Sequence, residues 1–107
     1  MRMWGVDVTK LCNKHLQGEH VEMHMFIGSI RKKVSLKGYL TNKLVNVAQI
    51  QTRHDELAEE MVRRTFSHQS PILPEDVEML KNVNFPDTVD VESNILELRK
   101  RCTRCKV

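Results

Sequence analysis

Cys12, His15, Glu19 and Glu22 follow one another at three- and four-residue intervals. At 100° per residue they fall within an arc of roughly 80° on one helix face. That arc overlaps the apolar stripe of Leu16, Met23 and Ile30, so acids and an imidazole point at or beside the core. Ionised carboxylates are costly to bury without partners. Two of them on this face therefore require arginines to pair with, a bound cation, or a reaction that uses them.

A cation has further candidate ligands at the far end of the chain. Cys102-Thr103-Arg104-Cys105 has CxxC spacing, and together with Cys12 and His15 it offers four soft ligands of the kind zinc takes. Cys102 fits the apolar face of a last helix equally well, and helix geometry alone dictates the spacing of Cys12 and His15. The reading therefore assigns no metal and no cofactor and leaves zinc open. His20 and His24, one turn apart, read as solvated helix histidines.

The elements that hold these residues are helical. An arm over residues 1–8 has Met3, Trp4, Val6 and Val8 as apolar anchors, and Thr9 can cap a long helix from Lys10 to about Val34 carrying Leu16, Met23, Ile27, Ile30 and Val34. Gly18 and Gly28 inside it suggest close approach by another group. Residues 35–51 read as a loop and connector. A second helix is expected from Thr52 through Arg64, with Asp55 reciprocating a Thr52 cap. A short one should follow at Pro74 to Leu80, then a Phe85-Pro86-Asp87 turn, and a last helix from about Asp90 with Val91, Ile95, Leu98 and Cys102 on one face. No strand pattern of useful length is present, so the fold is expected to be all-α, a single domain over residues 1–107 with a long N-terminal helix.

Composition agrees with a soluble domain: 107 residues, 40% hydrophobic and 29% charged. No apolar run approaches the ~20 residues of a membrane span. The N-terminus lacks a signal-peptide pattern, so a reducing, cytoplasmic setting without disulfides is expected. Charge is uneven. Residues 1–50 carry eight Lys or Arg against three acids, and Arg99 to Lys106 adds five cations with no acid, the asymmetry of a protein with one face toward a polyanion.

The N-terminal half resembles the pyrimidine-dimer DNA glycosylases of the phage endonuclease V type. The matching residues are Arg2, Thr9-Lys10-Leu11, the histidine and two glutamates of His15-Leu16-x-x-Glu19-x-x-Glu22, and Gly28-Ser29-Ile30-Arg31-Lys32-Lys33-Val34. Looser similarity runs through Arg53-His54-Asp55-Glu56-Leu57, Arg64-Thr65-Phe66 and His68-Gln69-Ser70-Pro71.

The resemblance implies an all-α repair enzyme, monomeric and free of cofactors, acting on damaged double-stranded DNA. In this family the α-amine of the first residue attacks the anomeric carbon of the damaged nucleotide, and the resulting imine permits strand cleavage by β-elimination. By position, Met1 matches the nucleophile, Glu22 the catalytic carboxylate, and Arg2 and His15 residues lining the DNA site. Glu19 is grouped with the substrate-binding residues, and Arg31, Lys32 and Lys33 with phosphate contacts. An α-amine titrates well below a lysine, so a larger fraction is nucleophilic near neutral pH. Arg2 is too bulky for the usual removal of an initiator methionine. Val21 and Met25 stand where better-known members carry arginines, and Arg99 to Cys105 replaces an aromatic-rich segment, which leaves the preferred lesion open. Other classes compatible with these residues are a small non-catalytic DNA-binding or zinc-stabilised interaction protein and a metal-dependent nuclease with His and Glu ligands.

Overall fold

Buried Leu16, Met23, Phe26 and Ile27 form one stripe of helix α1 (Asn13–Arg31), and that stripe is the floor of the core. The structure is a computed structural model that describes residues 1–66, 70–83 and 89–107. Against α1 packs α3 (Ile50–Arg63), which contributes Ile50, Leu57 and Met61 at spacings of seven and four. Short α2 (Lys37–Thr41) precedes it, and α4 (Pro74–Lys81) and α5 (Val91–Arg101) follow. The described residues contain no strand, so the all-α expectation holds. The Phe85-Pro86-Asp87 turn and Ser67 to Gln69 lie outside the described residues.

Several boundaries differ from the sequence expectation for identifiable reasons. Thr9 does not cap α1. Asp7 instead accepts from the Thr9 N–H at 2.9 Å and the Thr9 hydroxyl at 2.7 Å, closing a separate 3-10 turn, Val8–Lys10. Nor does α1 reach Val34. Lys33 adopts a left-handed φ of 58°, its N–H bonds Ile30 O at 3.0 Å and the Val34 N–H bonds Ser29 O at 2.9 Å. This is a Schellman stop, and it leaves Val34 exposed. The same stop ends α2 at Lys43 and α3 at Thr65. The connector at 35–51 holds α2 and a 3-10 turn, Val47–Gln49, that runs into α3, so Thr52 is inside a helix and caps nothing. A Cβ at Gly18 or Gly28 would meet nothing within 4 Å, so neither glycine marks close packing. Asp90 does cap α5, accepting from the Ser93 N–H at 3.1 Å.

Two extended pieces dock on this scaffold and build the site. The N-terminal arm inserts Met3, Trp4 and Val6 into the core. Its backbone is tied on three sides: Met3 N–H to Leu44 O at 2.6 Å, Trp4 N–H to Glu19 Oε2 at 3.2 Å, and the Asn94 side-chain amide to Trp4 O at 2.7 Å. Gly5 then turns the chain with φ of +69°, a conformation that costs other residues roughly 1–2 kcal/mol. After α5 the tail returns to the start of α1, where the Lys106 N–H bonds Lys10 O at 2.7 Å.

Candidate active site

The stripe that looked anomalous in sequence becomes the wall of a cleft. Met1, Arg2, His15, Glu19 and Glu22 line one hollow of 360 Å³, a volume within the range of small-ligand sites. The cluster Arg31, Lys32 and Lys33 is not part of it. Arg31 is nine residues beyond Glu22 on α1, two and a half turns on and so on the opposite side of the helix. It forms a paired contact with the buried carboxylate of Asp76 in α4, while Lys32 and Lys33 are exposed at the helix end.

The two glutamates occupy different environments. Glu19 has a fully buried side chain and is held by Arg53 of α3 through Nε at 2.6 Å and Nη2 at 2.9 Å. Its Oε2 also receives the Trp4 N–H. It is the arginine-paired carboxylate that the sequence allowed, and it fixes the arm. Glu22 is half-buried, and Oε2 accepts the Arg2 N–H at 3.2 Å. Burial pushes its carboxyl above the ordinary range, opposed by that N–H and by the positive chain terminus. The terminal ammonium and Glu22 therefore feel each other across the cleft.

Sequence reasoning did not place Trp4, Lys14 and Arg101 at this hollow, which they also line. The Arg2 guanidinium lies over the Trp4 ring at 4.5 Å, and that of Arg101 approaches it at 5.8 Å, a cation–π arrangement. Burial, then the charge of Arg101, lowers the affinity of Arg2 for its proton. The Arg2 Nε–H is buried and has no hydrogen-bond partner among the described residues, a donor left for a ligand. Lys14 also lines a neighbouring hollow of 420 Å³ with Lys10, Arg63, Arg64, Arg104 and Lys106. The only signal of this basic surface in the sequence was the five-cation tail, with nothing to say where it docked. Arg63 and Arg64 are partly neutralised by Glu60, whose carboxyl is drawn down to about 2, chiefly by its hydrogen bond from Arg63.

Two groups of side chains have the composition of metal ligands. Cys12, His15, Cys102 and Cys105 converge, as do His20, His24 and His54. The second group overturns the solvated reading of His20 and His24. His20 is buried, and its ring packs against those of His24 and His54 at 5.0 and 4.6 Å. His24 and His54 both direct Nε2 at Ser70 O, at 2.9 and 2.8 Å.

A family model described as pyrimidine dimer DNA glycosylase matches residues 1–73, a span that contains the arm, α1 and α3. No curated protein and no solved structure gives a significant match to the chain. No helix among the described residues is long and apolar enough to cross a membrane.

Proposed function

Because this chain belongs to the pyrimidine dimer DNA glycosylase family, we propose that it is a DNA-repair glycosylase with abasic-site lyase activity whose nucleophile is the α-amine of Met1. The observation that carries the reading is the bond from the Arg2 N–H to Glu22 Oε2 at 3.2 Å, which sets the terminal amine one residue from a half-buried carboxylate.

The neutral amine attacks C1′ of the damaged nucleotide. The glycosidic bond breaks, and the base leaves with the bonding electrons and takes up a proton. The attacking nitrogen, left with two protons, gives one up, and opening of the sugar ring, in which O4′ keeps the bonding pair and is protonated, leaves a protonated imine at C1′. Removal of a C2′ proton then expels the 3′ phosphate, breaking the strand, and water hydrolyses the imine to restore the amine. Glu22 is suited to take and return these protons and to stabilise the cationic sugar and iminium. Its position half out of water strengthens that charge interaction. Glu19 acts through Arg53 and the arm, as a positioning residue. Arg2, with its unpartnered Nε–H, Lys14 and Arg101 are the first phosphate contacts of the cleft, and the Lys10, Arg104 and Lys106 surface extends them along the duplex. His15 and Trp4 form the wall against which an extruded nucleotide rests. Lys32 and Lys33 lie farther out.

Borohydride trapping on duplex DNA with one abasic site tests the reading. The expected product is a covalent adduct on Met1, lost when the amine is acetylated or moved by an N-terminal extension, while circular dichroism and most DNA affinity persist. Full-rate trapping by the acetylated protein, or strand cleavage without any adduct, overturns it.

A further inference from the structure

We propose that Cys12, His15, Cys102 and Cys105 bind one zinc ion that fastens the C-terminal tail to the start of α1. Cys12 Sγ lies 3.2 Å from His15 Nδ1 and 3.8 Å from Cys102 Sγ, and Cys105 Sγ lies 3.5 Å from His15 Nδ1. All four ligand atoms fall within 4.8 Å of one another. Zinc holds sulfur at about 2.3 Å and nitrogen at about 2.0–2.1 Å. A tetrahedron of those dimensions has edges of about 3.8 Å between sulfurs and about 3.6 Å between sulfur and nitrogen, close to the three spacings observed.

The arrangement is ill-suited to the alternative chemistry of cysteines. A disulfide joins two sulfurs at about 2.05 Å, whereas here three free thiols gather on one imidazole nitrogen. A backbone donor also serves one of the sulfurs as it would a metal-bound thiolate: the Cys12 N–H points at Cys105 Sγ at 3.3 Å. Two ligands come from the first turn of α1 and two from the turn that ends α5, ninety residues later in the chain. With four protein ligands the site is closed, which makes it structural and leaves no position for substrate. It draws Arg104 and Lys106 beside Lys10 and Lys14, a consequence for DNA binding that rests on the proposed function; the metal site itself does not.

The test uses the untagged chain with zinc and with Co²⁺ as probes. Elemental analysis is expected to give about one zinc per chain. Cobalt replacement is expected to give intense tetrahedral d–d bands and thiolate-to-cobalt charge transfer, and the three thiols should resist alkylation until a strong chelator is added. His15→Cys should keep the ion and shift the cobalt bands toward an all-sulfur site, a readout that survives even if single Cys→Ser variants fail to fold. Metal-free protein with three freely alkylated thiols, a weak octahedral cobalt spectrum, or cobalt bands unmoved by His15→Cys would overturn the site. Zinc at full stoichiometry in protein that traps no abasic-site DNA would leave the metal site standing and remove the lyase instead.

Discussion

Glu22 Oε2 accepts the backbone N–H of Arg2 at 3.2 Å, so the carboxylate proposed to handle protons also holds the peptide that carries the proposed nucleophile. The half-buried charge is retained at a cost, since burial raises the Glu22 carboxyl above its ordinary 4.5. A carboxyl raised on folding favours the fold below its unfolded pKa, and that contribution is lost as pH rises through the raised value. Above that raised value the ionised side chain is therefore a burden on stability.

Glu22→Gln is accordingly expected to lower strand cleavage by at least about 100-fold while leaving the melting temperature at pH 7 unchanged or higher and DNA affinity within a few-fold. Paired cleavage and thermal-unfolding assays check this. Near wild-type turnover removes Glu22 from the chemistry.

Glu19→Gln should behave in the opposite way. Breaking a buried ion pair while leaving the Arg53 charge in place costs about 3–5 kcal/mol, and the Trp4 anchor weakens with it. In urea unfolding the single variant should fall well below wild type, and Glu19→Leu combined with Arg53→Met should recover much of the loss. Cleavage per folded molecule should fall less than in Glu22→Gln. If Glu19→Gln is stable but inactive, the two roles must be exchanged.

Alanine at Lys10, Lys14 and Lys106 together is expected to weaken binding to damaged and undamaged duplex alike. It should also reduce the steepness of log K against log salt by about 2 to 3, close to 0.9 per lost phosphate contact. Lys32→Ala with Lys33→Ala should change the slope less. Equal changes from the two sets would extend the DNA face to the far end of α1.

Glu60 titrates near 2 when folded against an ordinary 4.5. A lowered carboxyl contributes fully above its unfolded pKa, and the contribution vanishes as pH falls through the folded value. Glu60→Gln should therefore cost about 2 kcal/mol at pH 7, with the gap from wild type closing between about pH 4.5 and 2. A gap that ignores pH in that window would reject the ion pairs with Arg63 and Arg64 as its source.

Thr65 holds a left-handed φ of 64°, where a β-branched residue is strained. Thr65→Gly relieves that strain and loses some to unfolded-state entropy, for an expected net gain of about 0.5 to 1 kcal/mol in the denaturant midpoint. A loss would mean that the Schellman stop at α3 does not set the backbone there.

The sequence made the helices of the core legible because period alone places Leu16, Met23 and Ile27, or Leu57 and Met61, on a buried stripe. The helix ends were not, because three Schellman stops use Lys33, Lys43 and Thr65 where sequence reading looks for glycine. Within the site, Cys12 to Glu22 could be grouped from helix geometry. Arg53 as the partner of Glu19, and Trp4, Lys14 and Arg101 as lining residues, depend on how α3, the arm and α5 dock, which no local pattern encodes. The grouping of Cys102 and Cys105 with Cys12 and His15 could be raised from the sequence but not decided there, because a lone CxxC at the end of a helix says nothing about what lies opposite.

Asn94 bonds the carbonyls of Met3 and Trp4 across roughly ninety residues of chain, and this imposes an order on biosynthesis. The arm is made before α5 and has no complete seat until α5 follows. At about 5–20 residues per second that delay lasts several seconds at least. Throughout it the Met3 and Trp4 carbonyls lack their Asn94 partner, and the arm is held only by its bonds to Leu44 and Glu19. Once α5 docks, Asn94 closes over the arm and that interval ends. The seat of the arm is thus complete only once α5 has been made, after every other element that touches it.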